Sequence, residues 1–345
     1  MTAFTRRRAL GSLGSLLAAS PLLQGQELIG EPPGRIAPRA ELVNLFEVEA
    51  VAKRKLPGTV YSSIAGGDRK AFDRMTFRPR MLVNVQRMDL TTELLGETLF
   101  APILAGPMAY HQQFHPEGEL ATAQGAAATK TVMVVSSRSS QPLEKIAAQA
   151  KSGFWVQVYP EPDMEAVRKR VQQAVQVGCK AVCLTVGAPQ GHPRMKTDWS
   201  AIDQLRKGVT VPFLLKGILS PEEAVVAVRN GIQGMVVSNH GDLNSTGLAA
   251  PIEMLPSIAD AVGGKATLLI DGGFRRGTDV LKALALGARA VLIGRPIMWG
   301  LGAYGAEGVQ TVLGMLQSEL ARSMGLSGRP TIKAIDRTLV KIHLR

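Results

Sequence analysis

From Ala101 onward, eight apolar runs recur along the chain, each closing on small or polar residues and followed by a stretch of helical periodicity. The runs are APILAGPMA (101–109), TVMVVSS (131–137), FWVQVYP (154–160), AVCLTVG (181–187), VPFLLKG (211–217), GMVVSNHG (234–241), TLLIDGG (267–273) and AVLIGRP (290–296). Continuous Val, Ile and Leu, rather than alternation, is the pattern of parallel strands covered on both faces. The runs begin roughly 20–35 residues apart, the size of one strand–helix unit. Between them the spacing predicts helices over 116–129, 142–150, 163–177, 221–230 and 277–286. Several open on Pro or Asp and end just before Gly178, Gly231 or Gly287, as helix termini prefer.

Eight such units predict an α/β fold, a (β/α)8 TIM barrel over 101–345 with C-terminal helices, preceded by a helical and hairpin segment over 41–100. A doubly wound open sheet is the competing architecture. The count of eight, and the lack of a GxGxxG after the first run, favour closure.

Composition narrows the class without choosing a chemistry. With 345 residues, 46% apolar and 20% charged, the chain is neither disordered nor collagen-like. Its net charge of +12 is spread along the sequence without a basic stripe interleaved with aromatics, so no nucleic-acid partner is expected. Cys179 and Cys183 are too far apart on a strand for a disulfide and have no second pair with which to hold zinc; both read as buried thiols.

Residues 1–24 read as an address. Arg6, Arg7 and Arg8 precede a mildly apolar stretch from Ala9 to Leu23, interrupted by Gly11 and Gly14, in the layout of an export signal of the twin-arginine type. The expectation is an exported, periplasmic protein whose first 24 residues play no part in the barrel. Residues 25–40, rich in Gly and Pro, read as a linker.

A barrel gathers its chemistry at the C-terminal ends of its strands. Those ends carry Ser136, Gln157, Tyr159, Thr185, Lys216, Ser238, His240, Asp271 and Arg295. Strand seven ends DGGFRRG (271–277) and strand eight IGRP (293–296). The loops after strands seven and eight are the usual phosphate site of such barrels. Glycine lets backbone N–H groups approach a phosphate, and Arg275 and Arg295 add charged hydrogen bonds.

At this point the chain resembles the FMN-dependent α-hydroxy-acid oxidases and dehydrogenases. The resemblance runs from about Val43 to Ile335 and rests on FRPR (77–80), HPEGE (115–119), LLKG (214–217), VVSNHG (236–241) and DGGFRRGTDVLKALALGARAVLIGRP (271–296). It implies an FMN cofactor across the barrel mouth. Pro107, Met108 and Ala109 would line the isoalloxazine, Ser136, Gln157, Thr185 and Ser238 would meet its polar edge, and Lys216 would supply a cation there. Asp271 would hold the ribityl hydroxyls, and Gly272, Gly273, Arg275, Gly294 and Arg295 the phosphate. His240 falls on the family's base, Tyr159 on its substrate-hydroxyl contact and Arg194 on one of two carboxylate-clamping arginines. The implied partners are a small, anionic substrate and a separate electron acceptor: oxygen, a quinone or a cytochrome. No CxxCH haem motif is fused to this chain. A homo-oligomer is expected.

The departures fall on one side of the site. Where the family has its second clamping Arg this chain has Leu243; where it has the Asp that orients the base, Gly187; where it has a pocket Tyr, Ser63; and an aromatic position is Arg138. The segment after strand four is also short. The flavin-holding positions match, so oxidation of a 2-hydroxy acid or related alcohol is the leading reading. The alternative is an FMN protein with altered or lost dehydrogenation, acting as an electron carrier or on a bulkier substrate. A sugar-phosphate isomerase or aldolase using Lys216 as nucleophile would suit the same barrel, but the SNHG and DGGFRRG pairing speaks against it.

Overall fold

In the computed structural model the eight apolar runs form eight parallel strands: β1 (Ile103–Ala105), β2 (Met133–Ser136), β3 (Phe154–Val158), β4 (Val182–Thr185), β5 (Phe213–Ile218), β6 (Gly234–Val237), β7 (Thr267–Asp271) and β8 (Ala290–Ile293). Each pairs with the next, and β8 returns to β1 through Val291 beside Ile103 and Ile293 beside Ala105, closing the barrel. The structure describes residues 35–67, 69–186, 198–241 and 249–343. The predicted export signal, Arg194, Gly187 and Leu243 lie outside them. Residues Arg39–Arg345 form one compact unit, apart from Met1–Pro38.

The strands are short because only their central residues are covered on both faces. β2, β4, β6 and β8 are buried at every position, which is what continuous apolar runs require. The first run, 101–109, therefore yields only three strand residues, and Arg295 opens a helix rather than ending β8. Inside the barrel Leu104, Val134, Trp155, Cys183, Leu214, Leu269 and Leu292 interdigitate. A hairpin, Thr92–Leu94 with Glu97–Leu99, inserts Leu94 and Leu99 into the same core.

The outer helices are α1 (Glu119–Ala128), α2 (Leu143–Gln149), α3 (Met164–Gln176), α4 (Trp199–Arg206), α5 (Pro221–Arg229), α6 (Pro251–Val262), α7 (Gly277–Ala285) and α8 (Arg295–Leu326). Local chemistry fixes their starts: the Asp163 side chain accepts from the Ala166 N–H at 3.0 Å, and Ser220 from Glu223 at 3.1 Å. Gly178, Gly231 and Gly287 follow the helix ends with φ of 97°, 70° and 115°, the left-handed backbone expected of them. Helix α8 kinks at Tyr304 and Gly305. The N-terminal segment supplies the helix Leu45–Lys55 and a strand, Met75–Phe77, that pairs with Val340–Ile342. Among the described residues no helix is long and apolar enough to cross a membrane. Cys179 and Cys183 are free and buried, and burial pushes the Cys183 thiol up to about 12.

Candidate active site

The C-terminal ends of β1 and β5–β8 surround a cavity of ≈ 160 Å³. Its lining includes Pro107, Met108, Lys216, His240, Asp271, Gly272, Gly273, Arg275, Gly294 and Arg295. Ala109 follows Met108 in the same loop but does not reach the cavity. Ser63, from the N-terminal segment, does.

At the strand ends the polar side chains form a chain of hydrogen bonds. Ser136 donates to Gln157 Oε1 at 3.1 Å, and Gln157 Nε2 donates to Thr185 Oγ1 at 2.7 Å, linking β2, β3 and β4. On the opposite side Lys216 Nζ donates to Ser238 Oγ at 2.8 Å and pairs with Asp271 at 2.9 Å. Burial alone would lower the Lys216 pKa, but the Asp271 carboxylate raises it further, so the ammonium is held charged.

His240 sits just past β6 with a left-handed backbone, φ 58°. Its N–H donates to Ser238 Oγ at 3.1 Å. A side chain at Gly217 would place its Cβ 2.5 Å from His240 Nε2 and 2.0 Å from the Val186 carbonyl, so only glycine lets the imidazole lie against β5. Burial first, and then the Lys216 charge, push the His240 pKa down to about 4; Asp271 and the Val186 carbonyl oppose them. The ring is therefore neutral at ordinary pH, and its buried Nε2 has no hydrogen-bond partner among the described residues.

The β7–β8 end is strongly cationic. Arg275 lies with its guanidinium carbon 4.4 Å from the Trp299 ring centroid, and donates to the Gly66 carbonyl and its neighbour Phe274, both at 2.8 Å. Arg69 meets Asp279 at 3.0 Å. That same carboxylate accepts from the Arg275 and Arg276 N–H groups, fixing the loop that carries the arginine. A Cβ at Gly67 would lie 2.8 Å from Arg275 Nη2 and 3.0 Å from Arg295 Nη2, so the two guanidiniums converge beneath this glycine. Burial and the Arg295 charge push Arg275 down to about 10, and burial lowers Arg295 as well.

The opposite rim carries Tyr159, just past β3, with the Arg138 guanidinium 4.4 Å from its ring centroid. Further out, the buried Glu119 accepts from the His111 N–H at 3.1 Å and the Ser140 N–H at 2.9 Å, holding the loops after β1 and β2 together.

Ten of the predicted residues line this cavity; Ser136, Gln157, Tyr159, Thr185 and Ser238 stand at neighbouring strand ends, Ala109 lies outside, and Arg194 is not among the described residues. Two details refine the reading. Asp271 keeps one oxygen on Lys216, leaving Oδ1 for a ligand, and Arg275 has part of its donor capacity committed to carbonyls. Arg69, Gly66, Gly67 and Trp299 were not anticipated. Their signal in the sequence was the Gly66–Gly67 pair; their role depends on contacts across more than 200 residues.

These residues fit FMN. Buried Arg295 Nη1, Asp271 Oδ1 and Arg69 Nε lack hydrogen-bond partners among the described residues, and buried polar atoms left unsatisfied are costly. A phosphate at the Arg275–Arg295 end and ribityl hydroxyls at Asp271 would satisfy them, and the positive-φ backbone of Gly272 and Gly273 leaves room for close approach.

The sequence as a whole agrees. The family model described as FMN-dependent dehydrogenase matches residues 52–197 and 190–342. The peroxisomal (S)-2-hydroxyacid oxidase GLO3 of Arabidopsis thaliana is 38% identical over 87% of this chain and 97% of its own. The L-lactate oxidase of a Nostoc species is 38% identical over 88% and 98%. A crystal structure of mandelate oxidase with (S)-2-phenylpropionate superimposes with a TM-score of 0.82 at 36% identity, covering 88% of this chain and all of the other. Sequence, barrel and mouth chemistry together make this chain a member of the FMN-dependent dehydrogenase family, an oxidoreductase that works with FMN.

Proposed function

We propose that the protein oxidises a 2-hydroxy acid to the 2-oxo acid, with His240 as the base and oxygen as the acceptor that restores the enzyme. The observation that carries this reading is the neutral, buried imidazole whose Nε2 has no hydrogen-bond partner among the described residues and lies beside the Lys216–Asp271 pair. A base of this kind needs its lone pair free and its position fixed. The left-handed turn, the Ser238 hydrogen bond and the close approach at Gly217 fix it. Bound FMN would supply the acceptor for the hydrogen on the substrate carbon together with its electron pair. His240 takes the hydroxyl proton. The Asp271 carboxylate and the Val186 carbonyl favour the imidazolium that results. Lys216, Ser238, Asp271 and the glycines would hold the cofactor, and Arg275 and Arg295 its phosphate, with Arg69 bracing their loop through Asp279.

The substrate is bulkier than glycolate or L-lactate. Leu243 cannot pair with a carboxylate and Gly187 cannot support an imidazolium, and the segment after β4 is shorter than the family's. Anaerobic mixing of the holoenzyme with a series of 2-hydroxy acids tests this. Flavin bleaching should be faster with (S)-mandelate than with glycolate or L-lactate, and Leu243→Arg with Gly187→Asp should raise the rates for the two small acids. Reduction by glycolate above about 10 s⁻¹, the median turnover of enzymes, would overturn the size argument. Bleaching by none of the acids would instead favour an electron carrier.

The Arg6–Arg8 leader supports export of the folded, FMN-loaded protein to the periplasm. A chain beginning at Glu31 should bind FMN as well as the full one, and fractionation should recover the processed form outside the cytoplasm.

A further inference from the structure

We propose that His111 is a positioning residue of the cofactor site: its imidazole holds the Met108 carbonyl and thereby sets the wall that the loop after β1 presents to the flavin. The inference rests on FMN lying at this mouth and is independent of which hydroxy acid is oxidised.

His111 is 1% exposed and lies outside the cavity that holds His240. Its ring Nε2 is 3.1 Å from the Met108 carbonyl oxygen, and its Nδ1 is 2.9 Å from the Thr122 hydroxyl on α1. A carbonyl oxygen only accepts, so Nε2 carries the proton and Nδ1 accepts from Thr122. Burial lowers the His111 pKa, against the Glu119 carboxylate and the Met108 carbonyl, so the ring is neutral and this tautomer is kept. Both nitrogens are thereby committed, and the ring acts as a spacer between α1 and the loop.

The loop is tied at both ends. The Gly106 N–H donates to the Ile293 carbonyl at 2.8 Å, and the Tyr110 N–H to the Arg138 carbonyl at 3.0 Å. The His111 N–H donates to the buried Glu119 at 3.1 Å. That carboxylate, from the HPEGE string, also accepts from the Ser140 N–H and hydroxyl. Tyr110 has a left-handed backbone, φ 53°, which a residue other than glycine keeps only where its surroundings over-determine it. Between these ends the His111 ring takes hold of the loop at Met108.

Met108 is where that hold reaches the site. It lines the cavity together with Lys216 and His240. A Cβ at Gly294 would lie 3.2 Å from the Met108 Sδ, so the thioether packs against the end of β8. Fixing the Met108 carbonyl fixes the plane of the peptide that follows, and with it the course of the backbone into Ala109. A histidine serving the core alone would satisfy its nitrogens on the helices and strands around it. This one gives its single ring donor to the backbone of a cavity-lining residue three positions earlier.

Two amide side chains separate the two ring bonds. A Gln amide reaches as far as Nε2, and an Asn amide only as far as Nδ1. His111→Gln therefore keeps a donor for Met108, and His111→Asn keeps only the Thr122 partner. The readouts are the FMN dissociation constant, by fluorescence titration of the apoprotein, and the visible circular dichroism of the bound flavin, which reports the asymmetry of its immediate surroundings. His111→Asn should weaken FMN binding roughly tenfold and change the visible spectrum at saturating FMN, while His111→Gln stays within about threefold of the parent and keeps its spectrum, as the loss or retention of one hydrogen bond predicts. Equal weakening by Gln and Asn overturns the proposal. So does a lowered unfolding temperature in both with the parent's flavin spectrum, the mark of a merely structural histidine. If His111→Asn does not fold, the imidazole ¹⁵N signals of the parent holoenzyme decide, with His111 assigned by its loss in His111→Gln: a protonated Nε2 supports the proposal and a protonated Nδ1 overturns it. Failure of the cofactor placement itself shows separately, as full FMN occupancy when Arg275 and Arg295 are both replaced by alanine, and takes the proposal with it.

Discussion

The two ends of the barrel mouth are built differently. At the β7–β8 end, Arg275 is locked by the Gly66 carbonyl, the Phe274 carbonyl and the Trp299 ring, and Arg69 is locked by Asp279. Segments distant in sequence meet there, and the buried Arg295 Nη1 has no hydrogen-bond partner among the described residues. At the β2–β4 rim, the described polar groups satisfy one another locally through Ser136, Gln157 and Thr185, with Arg138 and Tyr159 beyond them. The difference teaches where variation is tolerated. A cofactor end wired through the N-terminal segment into α7 and α8 resists change, since each of these arginines is tied to a segment distant in sequence. A rim assembled from neighbouring loops can exchange an anion contact without disturbing the barrel.

The contrast can be broken most directly at the base. His240→Gln should lower the rate of flavin reduction by about 10²–10⁴-fold, the usual worth of a positioned base, while FMN content stays full. Stopped-flow reduction and the flavin-to-protein ratio check this; a variant that loses FMN instead would show that the ring belongs to the cofactor end.

Arg275→Ala with Arg295→Ala attacks the other end. Two charge-assisted contacts are worth roughly 3–6 kcal/mol together, so FMN should bind about 10²–10⁴-fold more weakly. Fluorescence titration of FMN into the apoprotein measures it, with circular dichroism confirming the fold. Full FMN occupancy in this double variant would contradict the phosphate assignment.

The pH dependence sharpens the distinction. As the proposed base His240 must be neutral to accept a proton, and its pKa is depressed to about 4. The kcat/KM for a hydroxy acid should therefore be flat from the ordinary histidine range down to about pH 5 and fall about tenfold per unit below pH 4. An acid limb centred near 6.5 would mean that the burial and the Lys216 charge do not govern the base in the working enzyme.

The smallest effect is expected at Gly67→Ala. Its φ of 130° disfavours alanine, and the new methyl would press on Arg275 and Arg295. A strain of about 1–2 kcal/mol should weaken FMN binding roughly tenfold while leaving the rate of flavin reduction in the loaded enzyme unchanged.

Much of the fold was legible because its signals are local. Buried parallel strands must be apolar at every position, so eight continuous runs announced eight strands. Glycine at positive φ after a helix announced Gly178, Gly231 and Gly287. Helices α4, α6 and α8 were less legible. α4 has only eight residues, α6 carries Pro256 in its interior, and α8 is apolar around most of its girth and kinks at Gly305. Of the three, only α8 lacks a clean amphipathic stripe.

The sequence by itself determined which residue types stand at the strand ends, because strand ends follow from strand positions. His240, Lys216, Asp271, Arg275 and Arg295 were therefore readable as members of one mouth before any distance was known. Only the tertiary structure decided how they divide the work. Asp271 turned to Lys216 at 2.9 Å, which keeps the ammonium charged and leaves Oδ1 open. The Gly66–Gly67 turn came to rest over two arginines more than 200 residues away, and Arg138 came to lie on Tyr159. Such contacts depend on the closure of the barrel and on the path of loops across its mouth, and pairing at a distance leaves no periodicity in the chain for a reader to find.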